Sequence, residues 1–118
     1  MKQLVFIAAV LTFCIYSSYS ITIADVYKVT NKSGMVVTGV RISPHDANTW
    51  GFNLNVTGNV PANSSFEFTQ KVDNANCIYD IRYKCEDGKY YYIKDVNLCN
   101  SKTIFLPNPA EMNESQKE

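Results

Sequence analysis

The chain has 118 residues, and its eleven basic and eleven acidic side chains balance to no formal net charge. Without a basic stripe to hold phosphates, it has no electrostatic basis for a nucleic-acid partner. Its length allows one small domain and leaves no room for a second.

Met1, Lys2 and Gln3 supply a short positive start, and Leu4 to Ile15 form an apolar run too short to span a bilayer. Small residues at Ser18 and Ser20 complete the pattern of a signal peptide over residues 1–20, cut after Ser20. Cys14 lies within the run behind the bulky Phe13, which argues against a lipoprotein cut. Export would leave a mature chain with ten basic and eleven acidic residues and no further segment able to cross a membrane.

Ile21, Ile23, Val26 and Val29 recur with a period near two, as do Val36, Val37, Val40 and Ile42. Asn31-Lys32-Ser33-Gly34 stands between them, so the two runs read as a hairpin. From Ser43 to Ser64 the pattern dissolves into Pro, Gly, Asn and Asp, a long loop with room for one short edge strand. Ser65 to Gln70 restores strict alternation and reads as a strand.

The clearest unit follows, with Cys77, Tyr79, Ile81, Tyr83 and Cys85 on one face and Asp80, Arg82 and Lys84 on the other. Glu86-Asp87-Gly88-Lys89 reverses the chain, Tyr90 to Val96 returns as the partner strand, and Lys102 to Leu106 is the last strand before Pro107 and Pro109. No stretch holds a period of 3.6 over ten residues. The expected fold is all-β, a small antiparallel β-sandwich or barrel of six to seven strands over residues 21–106, with a polar, disordered C-terminal tail over 107–118.

Three cysteines remain after the signal, so one bridge and one leftover thiol is the simplest count. A two-residue turn at Asp87-Gly88 sets Cys77 against Leu98; a three-residue turn with a glycine bulge is expected to set it against Cys99. Cys85 lies about 26 Å from Cys77 along one extended strand and far out of register with Cys99, so the disulfide is expected between Cys77 and Cys99. Cys85 continues the apolar face and reads as buried, and Glu86 and Asp87 beside it disfavour a reactive thiolate.

His45 in Ser43-Pro44-His45-Asp46 is the only histidine, and no Gly-x-Ser-x-Gly nucleophile turn accompanies it, so no catalytic residue is assigned. Asp46-Ala47-Asn48-Thr49-Trp50-Gly51 begins like a calcium loop, but Trp50 stands at its fifth position and Thr57 at its twelfth, where oxygen ligands belong. A looser set of Asp46, Asn48 and Asn53 stays open, while no metal or other cofactor is assigned. Trp50 reads most simply as a plug for one end of the sandwich. The candidate partner surface is Trp50 with Tyr90, Tyr91 and Tyr92. Asn31, Asn55, Asn63 and Asn113 each precede a Ser or Thr by two places, as glycan acceptors in a eukaryote or as turn residues in a bacterium.

Taken together, Asn31-Lys32-Ser33-Gly34, Ser43-Pro44 with Trp50-Gly51, Cys77-Ile78-Tyr79-Asp80-Ile81-Arg82 and Asp95-Val96-Asn97-Leu98-Cys99 resemble a family of small exported bacterial β-rich domains of unassigned function. The resemblance covers most of residues 26–106. It implies an exported β-sandwich and a Cys77 to Cys99 pair, and it brings no activity. Phe52 and Asn53 stand where that family carries acidic residues, and Cys85 is extra.

The reading that results is a secreted or periplasmic, non-enzymatic binding module whose partner is a protein or a glycan. The alternatives are a protein inhibitor of an envelope-targeting hydrolase and a small hydrolase using His45.

Overall fold

The computed structural model describes residues 24–45, 47–72 and 75–117, so the expected signal peptide lies outside the described residues. Six strands form two three-stranded sheets: β1 (Asp25–Asn31), β2 (Val37–Pro44), β3 (Ser65–Gln70), β4 (Ile78–Cys85), β5 (Tyr90–Asn97) and β6 (Thr103–Leu106). One sheet has the order β3-β1-β6 and the other β2-β4-β5, a small β-sandwich. All the pairings are antiparallel except β1 with β6.

Alternation decides which side chains enter the core. Along β4, Tyr79, Ile81, Tyr83 and Cys85 are buried while Ile78, Asp80, Arg82 and Lys84 are half-buried on the other side. They meet Val37, Val40 and Ile42 of β2, Tyr91 of β5, and Tyr27, Val29, Phe68, Ile104 and Leu106 of the opposing sheet. Two of the deep tyrosines reach carbonyl acceptors, Tyr27 donating to Leu98 at 3.0 Å and Tyr83 to Pro107 at 2.7 Å. Both hydroxyls are therefore satisfied as the rings pack.

The expected β1–β2 hairpin is instead an arch between sheets. Period-two alternation reports which face a residue takes but not which strand lies beside it, and β1 pairs with β3 and β6. Asn31 shapes the crossing: it is fully buried, its Oδ1 accepts from the Ser33 N–H and hydroxyl, and its Nδ2 donates to Met35 and Val60 carbonyls. Gly34, at φ +82°, completes the turn in the left-handed region that favours glycine.

The long loop is built along the free edge of β2. Single bridges join Arg41 to Asn53 and Val37 to Val60, and buried Asn55 accepts from the Val40 N–H while donating to Thr38 and Gly58 carbonyls. This covers most of an edge that would otherwise present unpaired backbone groups. Asn31 and Asn55 are thus structural amides inside the fold, whereas Asn63 and Asn113 are exposed.

The disulfide joins Cys77 to Cys99, with Cα atoms 5.4 Å apart. The route to it differs from the expected register. Three residues, Glu86 to Gly88, form the turn, Lys84 faces Tyr90, and an irregularity between Tyr79 and Ile81 then shifts the pairing so that Ile78 faces Asn97. Cys77 therefore accepts from the Leu98 N–H, and the bridge closes one residue beyond the last paired position. Cys85 is free and buried, as its place on the apolar face implies.

Residues 107–117, expected as a disordered tail, pack against the sheets. Two short 3-10 turns, Pro109–Glu111 and Glu114–Gln116, are capped by Asn108 and Asn113, and Met112 is buried beside the Tyr83 hydroxyl. Buried Met112, the Tyr83 bond to the Pro107 carbonyl and the bridge of Lys117 to Tyr91 hold a segment that composition alone marks as polar.

Candidate functional site

The outer face of β2-β4-β5 gathers the distinctive chemistry of the molecule. Register places Arg41 of β2 opposite Arg82 of β4, and Arg82 opposite Tyr92 of β5; one step along, Gly39, Lys84 and Tyr90 form the next row. Like charges directly opposite one another weaken a sheet. Among the described residues none of Arg41, Arg82 and Lys84 is in an ion pair with a carboxylate.

Trp50 reaches this face because its neighbour is glycine. The Gly51 N–H donates to the Ile42 carbonyl at 3.1 Å, and a Cβ at Gly51 would fall 2.9 Å from that oxygen. Only glycine lets the loop press so close to β2. Arg41 fastens the same point by donating from Nη1 to the Gly51 carbonyl at 2.9 Å. Trp50 then lies 6.1 Å from Tyr92, tilted by 42°, and the Arg82 guanidinium sits 5.1 Å from the Trp50 ring and 4.5 Å from the Tyr90 ring. Lys84 Nζ is 5.4 Å from the Tyr90 ring. Cations over aromatic faces hold both partners in place and leave the outer edges of the rings free.

Three of the four residues expected as a partner surface, Trp50, Tyr90 and Tyr92, are thereby brought together, and Trp50 belongs to this outer face rather than to a plug at the end of the sandwich. Tyr91 is not with them. It points into the core at 4% exposure and donates to Asp87 at 2.6 Å, because adjacent residues of a strand face opposite ways. That bond, with burial second, pushes the Tyr91 phenol up to about 12, and it holds the Asp87 carboxyl below its ordinary range. The sequence places Arg82 and Lys84 on the polar face of their strand but marks neither them nor Arg41 as part of a site. The signal lies in the register, which brings together arginines 41 positions apart in sequence, and no local pattern carries it.

His45 is more than a solvated loop residue. Its Nδ1 lies 3.1 Å from Asp95 Oδ1 and 3.5 Å from Asp80 Oδ1, and the Asp95 N–H donates to Asp80 at 3.0 Å. Asp95 adopts φ +60°, where its short polar side chain is tolerated. Ligand atoms of His45, Asp80 and Asp95 lie within 4.8 Å of one another, a nitrogen-and-oxygen donor set of the kind that can hold a divalent cation. A histidine between two aspartates adopts the same spacing as a simple charge cluster. Of the looser calcium set, Asp46 lies outside the described residues, Asn48 is exposed and Asn53 bridges to Arg41 of β2.

Cys85 offers no nucleophile. Burial pushes its thiol up to about 11, and Asp87 and Glu86 add to the rise, so it stays protonated at neutral pH.

No family model and no curated protein matches the chain. Among solved structures it is similar to the NMR structure of a protein from Eubacterium rectale, with 11% identity, a TM-score of 0.51, and coverage of 79% of this chain and 82% of that one. At that identity the likeness shows a shared β-rich fold and nothing of its use.

Proposed function

We propose that this chain is a non-enzymatic binding module acting outside the cytoplasm, and that it engages its partner through the outer face of β2-β4-β5. One observation carries the reading: Trp50, Tyr90 and Tyr92 are arranged around Arg82 on an open sheet face, instead of being spent in the core. Tryptophan, tyrosine and arginine are the residues that most often anchor interfaces, and rings already held by a guanidinium lose little freedom when a ligand arrives. A structural disulfide supports an oxidising compartment, whether periplasm or extracellular space.

The experiment is a pull-down from native envelope or culture extract with immobilised wild-type protein and the variants Trp50→Ala, Tyr90→Ala, His45→Ala and Lys28→Ala. Capture should fail for the first two and persist for the last two. If His45→Ala instead removed a measured hydrolysis while the fold stayed intact, the hydrolase reading would replace this one.

A further inference from the structure

Beside the aromatic cluster the same face is hollowed into a groove of about 350 Å³, within the size range of small-ligand sites. It is lined by Arg41, Arg82, Lys84 and Tyr90, with Thr38 and Asn53, and among the described residues no Asp or Glu lines it. The floor is Gly39. Its φ is not positive, the β2 pairing is irregular between Val37 and Gly39, and a Cβ there would sit 3.1 Å from Asn53 Oδ1, so the bare backbone leaves room for Asn53 in the lining of the groove.

Resting on the reading that this face is the binding face, we infer that the groove holds an acidic polysaccharide, with a sugar ring against the free edge of Tyr90 and its carboxylate or sulfate between Arg41 and Arg82. Two guanidiniums set opposite one another across β2 and β4 repel, and an anion between them turns that repulsion into two charge-assisted pairs. Lys84, one row along and over the Tyr90 ring, adds a third cation to the same groove. A ring-bearing anion answers both halves of the groove, whereas a simple anion uses the cations alone. Nucleic acid also carries rings and charge, but it needs a broad positive field, which a chain of balanced charge does not supply.

The test is titration calorimetry, at 50 mM and 200 mM salt, of the wild-type protein against four oligomers of matched length: oligogalacturonate (carboxylate only), a sulfated galactan oligosaccharide without uronic acid (sulfate only), neutral cello-oligosaccharide and single-stranded DNA. At least one acidic saccharide should bind, more weakly at the higher salt, and which of the two binds better identifies the anion. The neutral sugar should not bind, and DNA should bind at least tenfold more weakly than the better saccharide. Arg41→Gln and Tyr90→Ala should each weaken binding about tenfold, as should Gly39→Thr, which fills the floor, while Lys28→Gln on the other sheet leaves it unchanged. Near-ultraviolet circular dichroism would confirm that each variant is folded, and Arg41→Gln and Tyr90→Ala act independently of any strain at Gly39. Equal binding of the neutral sugar or of DNA, no binding of either acidic saccharide, or indifference to Arg41→Gln and Tyr90→Ala would overturn the inference. If both acidic saccharides fail while Trp50→Ala and Tyr90→Ala still lose capture from extract, the ligand class falls and the binding face stands. If those variants also capture normally, both fall.

Discussion

The two outer faces of the sandwich solve the same problem in opposite ways. On β3-β1-β6, register sets Lys28 opposite Glu67 and Thr30 opposite Ser65, pairing opposite charges and two hydroxyls, beside the exposed Val26 and Phe105. On β2-β4-β5 it sets Arg41 opposite Arg82 beside Lys84, and the rings that could have been buried stand outside. The first face is what a solvated sheet needs for stability. The second gives up cross-strand stability, and a face that does so is where a ligand is to be sought.

That contrast presumes that the two sheets stand or fall as one unit, and the bridge is the strongest check on it. Cys77 and Cys99 close a loop with a sequence separation of 22 at the end of β5, beside Leu98, whose carbonyl accepts the Tyr27 hydroxyl of the other sheet. Cys99→Ser should lower stability by about 3 kcal/mol in chemical denaturation. Peptide mapping without reduction should join the segments holding Cys77 and Cys99 and leave Cys85 to be alkylated only after unfolding. A joined Cys85 would mean that the β4 face is misassigned.

Asn31 tests the other join. Its amide serves Ser33, Met35 and Val60 from a fully buried position at the arch between sheets. Asn31→Ala leaves several of those groups without partners, and should cost about 2–3 kcal/mol by urea midpoint. A loss under 1 kcal/mol would show that the arch is held by its backbone and that the sheets are less firmly coupled than drawn.

Alkaline pH should act on the inner side of β2-β4-β5 first. Burial raises the Cys85 thiol from about 9 to about 11, so the folded state keeps a proton that the unfolded chain releases. The stability this represents is fully present below pH 9 and is lost as pH climbs to 11, a difference of about 3 kcal/mol at about 1.4 kcal/mol per pH unit. The Tyr91 phenol, raised to about 12, adds a further loss above pH 10. Urea midpoints of wild type and Cys85→Ala at pH 8, 9.5 and 11 separate the two, since the gap between the proteins should narrow only through the thiol. A constant gap would mean that Cys85 titrates normally and is not sealed in the core.

Much of the inner half of this picture is legible in the sequence. Alternation from Cys77 to Cys85 gives the buried face of β4, Ser65 to Gln70 gives β3, and turn chemistry at Asp87-Gly88 places the last hairpin. The outer half is not, because what matters there is which strand lies beside which. β1 and β2 show the same period whether they form a hairpin or an arch, and Asn31, a turn residue by type, gives no sign that it is buried. Arg41 and Arg82 become neighbours only through β2–β4 pairing, and Trp50 joins them only because Gly51 can press against Ile42. Tyr90, Tyr91 and Tyr92 read as one patch in sequence, yet the pleat sends the middle one inward.

The smallest predicted effect bears most directly on the contrast between faces. Glu67→Gln should remove a favourable cross-strand pair with Lys28, and so lower stability by up to about 0.5 kcal/mol at low salt. Arg41→Gln removes one member of a repelling pair, and should raise stability by a similar amount, less whatever the bond from Arg41 to the Gly51 carbonyl contributes. The sign of each change is less telling than its response to salt. Raising ionic strength from about 0.01 M to 0.15 M shortens the screening length from roughly 30 Å to 8 Å, so both effects should shrink toward zero from opposite sides, with Arg41→Gln ending below its low-salt value and Glu67→Gln above its own. Differential scanning calorimetry of the two variants at both salts reads this out. Should Arg41→Gln be more destabilising at low salt than at high, Arg41 must already be answered by a carboxylate in solution, and the two faces would then differ in their rings alone.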